Sequence, residues 1–157
     1  MNFLVFDDVL RNPKDYVSEI LKGSFDNVSD GINTFKGIQP RPDDDEFCKF
    51  IKIFFPEYKI NFNFIRKSPL NQPEPNFIHS DEMMGEITVI LYLNEVHPNE
   101  DGTTIYDDSN KPICRVYAKF NRMLAFDSDM LHSRNIFENF GEGDEARLIQ
   151  VLFLKEQ

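Results

Sequence analysis

The hydrophobic rhythm of the chain changes near residue 57. Before that point apolar side chains recur at helical spacing. Tyr16, Val17, Ile20 and Leu21 share one helical face. Asn12-Pro13 reads as an N-cap followed by proline in the first turn, and Gly23 stands where such a helix would stop. A second helix is predicted after Asp43-Asp44-Asp45-Glu46, whose charges suit a helix N-terminus. Phe47, Phe50, Ile51 and Phe54 form its apolar face and Pro56 ends it. The acidic run reads as a solvated cap in preference to a metal-binding loop.

From Tyr58 onward the period becomes two. Ile60, Phe62 and Phe64 alternate with Asn61 and Asn63, the pattern of a half-buried strand. Pro69, Pro73 and Pro75 then mark a loop. Further strands are predicted over 76–81, 86–94, 103–107, 112–118, 122–126, 131–137 and 147–154. They are separated by turn chemistry such as His97-Pro98-Asn99, Asp101-Gly102, Ser109-Asn110 and Gly141-Glu142-Gly143. Two helices followed by about eight strands predict a mainly β (α+β) fold, a jelly roll with N-terminal helices packed on one side. One domain over 1–157 is expected, with helical support at about 1–57 and the β core at about 58–156.

Composition narrows the function. Of 157 residues 41% are hydrophobic, including 16 Phe, enough for a packed core, so the formal charge of −10 belongs to the surface. That acidity disfavours sequence-independent binding to nucleic acid or anionic membranes, and Arg66-Lys67 is too short to count as a basic cluster. No apolar run reaches the roughly 18–20 residues of a spanning helix. Met1-Asn2-Phe3-Leu4 lacks the features of a signal peptide, so a cytoplasmic setting is expected. Cys48 and Cys114 form no CxxC pair and read as buried or neutral thiols.

His79 and Asp81, two apart in a segment read as extended, project from one strand face and could grip one ion. A third ligand must come from elsewhere in the chain. His97 precedes a proline in a polar turn and reads as a surface residue. His132 follows a strand and a short turn and is the better candidate, with Asp127 and Asp129 read as turn formers. Two imidazoles and one carboxylate are the facial set of non-haem Fe(II), with three positions left open. Without that pattern His132 would read as a hydrogen-bonded histidine near the core. Arg147 opens the apolar run 148–154; pointing inward, its guanidinium would need an anion such as a carboxylate. The alternative is a surface ion pair with Glu145 or another acid.

With these residues in place, the stretch from about Tyr58 to Glu156 resembles the Fe(II)/2-oxoglutarate-dependent oxygenases, and within them the prolyl-hydroxylase-like branch. The resemblance rests on His79-Ser80-Asp81, the run 87–94, Asp101-Gly102-Thr103-Thr104, the run 121–127, His132 and Arg147. It implies a double-stranded β-helix, Fe(II) on His79, Asp81 and His132, and 2-oxoglutarate held at its distal carboxylate by Arg147, with Tyr92 and Thr104 assisting. It further implies consumption of O2, release of succinate and CO2, and hydroxylation of a C–H bond on a peptide side chain, prolyl among them, or on a small metabolite. Tyr92 could equally be a core aromatic.

Departures from the family pattern are visible. Ile149 and Val151 stand where many relatives carry a hydroxyl residue, and the interval from His132 to Arg147 is long. Arg134, two residues after His132, should face the same cavity and could bind an acidic group of the substrate, compete for the cosubstrate, or form a structural ion pair. Two other functions stay open on the same residues: a zinc-dependent hydrolase and a non-catalytic, cupin-like ligand-binding module. The sequence is silent on oligomeric state.

Overall fold

The computed structural model describes residues 3–74 and 77–157. Met1, Asn2, Pro75 and Asn76, which entered the readings of the N-terminus, the proline loop and the strand at 76–81, lie outside the described residues. Both predicted helices are present, α1 at Pro13–Leu21 and α2 at Glu46–Phe54. Asp45 caps α2 by accepting from Cys48 N at 2.8 Å, which satisfies one of the otherwise unpaired first-turn amides. Asn12 makes no side-chain cap; its carbonyl accepts from Tyr16 N instead.

Among the described residues ten strands follow the chain: β1 Phe3–Phe6, β2 Asp26–Ser29, β3 Thr34–Pro40, β4 Tyr58–Ser68, β5 Ile87–Tyr92, β6 Gly102–Tyr106, β7 Pro112–Tyr117, β8 Arg122–Asp127, β9 Leu131–Arg134 and β10 Arg147–Glu156. A seven-stranded sheet runs β1-β8-β5-β10-β4-β3-β2, and a three-stranded sheet runs β7-β6-β9. All named pairs are antiparallel. The architecture is the mainly β jelly roll expected, but the first 57 residues contribute three strands as well as two helices. β1 to β3 carry no buried alternation of their own, β2 being exposed throughout, and they are strands because a partner edge accepts them.

The large sheet is covered on both faces. Ile87, Val89 and Leu91 of β5 and Leu148, Leu152 and Leu154 of β10 pack beneath the helices against Ile20, Phe47 and Ile51. Ile90 and Tyr92 with Ile149, Val151 and Phe153 face the small sheet, where Ile105 and Val116 meet them. Alternating side chains therefore serve two different cores, which explains why β5 and most of β10 are buried at every position. Each fully buried Phe, Leu or Ile in these layers contributes roughly 2–3 kcal/mol.

A polar cluster joins helix to sheet. Gln150, fully buried in β10, accepts from the Tyr16 hydroxyl at 2.6 Å and donates to Asn63 Oδ1 at 2.7 Å. The same hydroxyl lies 2.9 Å from Oδ2 of the capping residue Asp45, so its single proton is shared between two acceptors. Burial, with Asp45 beside it, pushes the Tyr16 phenol far up, so it stays a neutral donor. Between the sheets, one turn depends on glycine. Gly102 has φ +144°, and a Cβ there would lie 2.0 Å from the Val116 carbonyl. This tight approach seats β6 against β7 and turns Asp101 into the interior.

Candidate metal centre

Between the two sheets opens a cavity of about 520 Å³, lined among others by His79, Asp81, Ile90, Thr103, Arg134, Arg147 and Ile149. The segment carrying His79 is not a full strand. It makes one bridge, in which His79 and His132 exchange backbone hydrogen bonds of 3.0 and 2.9 Å. Asp81 N then donates to Ser128 O at 2.8 Å. These bonds lock the first two ligands against β9 and the turn before it, which places His132 opposite them.

His132 Nε2 lies 3.0 Å from Asp81 Oδ2, and His79 Nε2 lies 3.5 Å from Asp81 Oδ1. Among the described residues this is the one group of three ligating side chains whose donor atoms all lie within 4.8 Å of one another. Three donors that share an ion at about 2.1 Å stand about 3–4 Å apart, and both imidazole–carboxylate separations fall in that range. The tautomers fit as well. His79 Nδ1 lies 3.2 Å from Phe77 O and His132 Nδ1 lies 3.1 Å from Met130 O, so each ring donates backwards to a carbonyl and turns Nε2 toward Asp81.

Electrostatics agree. Burial opposes ionisation of Asp81, but hydrogen bonds from His132 and His79 outweigh it and hold the carboxyl well below the usual range. The hydrogen bond to Asp81 raises His79 against the effect of burial. Asp81 is therefore an anion, paired with the two rings through the same Nε2 atoms that would face a metal. Thr88 Oγ1 approaches Asp81 Oδ2 at 3.4 Å and is tied to Ser128 Oγ at 2.9 Å. Phe77 and Phe126 pack on the two imidazoles.

Arg147 is buried, but not paired with Glu145. Its Nε lies 3.4 Å from Asp101 Oδ1, and its terminal nitrogens make no hydrogen bond among the described residues. Arg134 also lines the cavity, and its Nη2 donates to Asn139 Oδ1 at 2.7 Å. Burial, with Arg147 nearby, lowers Arg134 to about 10. Tyr92 sits behind the wall and exchanges a 2.7 Å hydrogen bond with Thr103; burial pushes it up to about 12. Thr104 is not brought to the cavity. Pairing of β6 with β9 puts Thr103 beside Arg134 and Ile105 beside His132, which leaves Thr104 on the other face, donating to Asn135 at 2.6 Å.

Sequence reasoning gave no role at the site to Arg66, Glu74, Asp101 or Thr88. Arg66 and Glu74 form an ion pair in the cavity wall, and Glu74 is nearly buried. Only an odd charge inside an apolar alternation, as Arg66 is in β4, could have signalled it. His97 lies in an exposed turn, as expected, beside a second groove of about 660 Å³ that contains no ligating cluster among the described residues. Asp129 is in the turn before β9. Cys48 and Cys114 are free thiols, and burial raises Cys48 strongly.

Comparison with solved structures meets this geometry. A non-haem α-ketoglutarate-dependent epimerase from nogalamycin biosynthesis superposes with a TM-score of 0.66 at 12% identity, over 96% of this chain and 76% of that one. A prolyl-4-hydroxylase from Pseudomonas putida gives 0.65 at 13%, over 99% and 93%. The chain has the fold of the 2-oxoglutarate-Fe(II) oxygenases. A prolyl hydroxylase from Trichoplax adhaerens, in complex with a hypoxia-inducible-factor peptide, shares that oxygenase fold at 0.63 and 18%, over 98% and 83%. No protein-family model and no curated protein matches the sequence. No helix among the described residues is long and apolar enough to cross a membrane.

Proposed function

We infer that the chain is an Fe(II)- and 2-oxoglutarate-dependent oxygenase, holding the metal on His79, Asp81 and His132 and hydroxylating a C–H bond of a peptide side chain or a small metabolite. The observation that carries this reading is the pair of imidazoles, each tethered through Nδ1, presenting Nε2 to one carboxylate in an arginine-bearing cavity. Iron with 2-oxoglutarate and O2 supplies the oxidising power, one oxygen atom ending in succinate as CO2 leaves and the other in the substrate hydroxyl.

The chain's own residues hold and orient. Asp81 offsets one charge of the metal, and Thr88 with Ser128 keeps its carboxylate from rotating. Arg147 receives the distal carboxylate of the cosubstrate on its free terminal nitrogens, while Asp101 fixes the guanidinium through Nε. Thr103, backed by Tyr92, supplies a hydroxyl in the same wall, the position we assign in place of Thr104. Ile90 and Ile149 keep that end of the cavity apolar, which strengthens the ionic contacts and excludes water.

His79→Ala and His132→Ala are expected to abolish both metal binding and substrate-independent consumption of 2-oxoglutarate. Full metal affinity in both variants would refute the ligand assignment.

A further inference from the structure

The cavity holds more cationic groups than the cosubstrate explains. Arg66 faces Glu74 and Arg147 faces Asp101, so each has a carboxylate. Arg134 does not. Its hydrogen-bond partner is the neutral amide of Asn139, and its buried Nε has no partner. Lys36, on β3, adds a further positive charge at the rim. A largely desolvated guanidinium whose direct hydrogen bond goes to a neutral amide is better satisfied when an anion completes it.

The surroundings of Arg134 show a constructed position. The long interval between β9 and β10 folds back so that Asn139 Nδ2 donates to Gln72 O at 2.9 Å and approaches Glu74 Oε1 at 3.3 Å. Gln72 Nε2 donates to the same Glu74 oxygen at 2.6 Å, and Leu70 N donates to Gly141 O at 2.8 Å. The extra residues thus brace Arg134 against the loop after β4. Arg134 ends a strand of the small sheet, whereas Arg147 starts one in the large sheet, so the two guanidinium groups stand on different walls. Exposed Phe35 and Phe77 flank the opening.

On the oxygenase reading above, we propose that the substrate carries an oxyanion, a carboxylate or a phosphate on an apolar skeleton, which Arg134 receives while Arg147 holds the cosubstrate. The apolar part lies toward Phe35 and Phe77 and brings its C–H bond to the metal side of the cavity. Planar, bidentate recognition suits a guanidinium better than an ammonium.

The test is calorimetric titration of the full chain, loaded with Mn(II) and saturating 2-oxoglutarate, with hexanoate and phenylacetate, each against its primary amide. Butyl phosphate and a blocked Ala-Glu-Ala tripeptide, against its Gln counterpart, separate the sources of the anion. At least one anion is expected to bind about tenfold or more tightly than its neutral partner. Arg134→Gln should bring the two within about threefold of each other without changing 2-oxoglutarate affinity, and Arg134→Lys should retain part of the preference. No anion preferred over its neutral partner overturns the proposal. So does a fall in 2-oxoglutarate affinity in Arg134→Gln, which would give Arg134 to the cosubstrate. Failure of the oxygenase reading shows separately, as no binding of 2-oxoglutarate before any probe is added, and takes the proposal with it.

Discussion

Replacing Arg147 by Gln separates two jobs of one guanidinium. Its side chain is 6% exposed and that of Asp101 3%, with Nε 3.4 Å from Oδ1. The substitution strands a buried carboxylate whose remaining hydrogen bond comes from Gly102 N at 2.9 Å. Removing one partner of a buried pair costs roughly 3–5 kcal/mol, and at this separation the lower end, about 3 kcal/mol, is expected. The cosubstrate separately loses two charge-assisted bonds at roughly 1.5–3 kcal/mol each, or about a hundredfold to ten-thousandfold in affinity. Adding Asp101→Asn removes the stranded charge and should recover about 2 kcal/mol of stability, while 2-oxoglutarate binding stays as weak as in the single variant. Urea unfolding of the metal-free chain reads the first quantity, and titration of the Mn(II)-loaded chain reads the second. Wild-type affinity in the double variant would reduce Arg147 to a structural residue; an unchanged urea midpoint in the single variant would refute the pair.

Three further outcomes are expected. Gln150→Leu leaves Asn63 Oδ1 without its donor and removes the acceptor of a Tyr16 bond, so stability should fall by about 2–4 kcal/mol in urea with metal affinity unchanged, because Gln150 faces the helices. Thr88→Val frees the Asp81 carboxylate and should weaken metal binding by roughly tenfold or more in equilibrium titration. Hydrogen bonds from Arg122 at 2.6 and 3.0 Å hold the Asp7 carboxyl below its ordinary value. Its contribution is thus present above about pH 3.9 and lost as pH falls through the lower folded value, so Asp7→Asn should cost under about 1 kcal/mol at neutral pH and nothing in strong acid. Stability curves from pH 2 to 7 would check this.

What could be read from the chain followed from periodicity and from chemistry concentrated in few residues. The helical faces of α1 and α2 and the alternation in β4 are written locally, because each element buries one side against one core. β5 and β10 were legible as strands but not as to which side did what, since both faces are largely apolar and only Thr88 in β5 and Arg147 and Gln150 in the buried part of β10 break the runs. β1 to β3 stayed hidden because short, exposed strands owe their form to the neighbouring strand. At the site, His79, Asp81 and His132 could be chosen because histidine is scarce in this chain. Thr103 and Thr104 could not be told apart, since a one-residue change in register exchanges the faces of β6. Asp101 was read only as part of a turn and motif, its pairing with Arg147 being a matter of tertiary contact, and Glu74 was lost among 27 acidic residues.

Anaerobic titration of the chain with Fe(II), with and without 2-oxoglutarate, bears most directly on the central claim. One Fe(II) per chain should bind, and a visible absorption band should appear only when metal and 2-oxoglutarate are both present, vanishing in His79→Ala and in His132→Ala. No stoichiometric iron binding, or a band that survives in both variants, would contradict it.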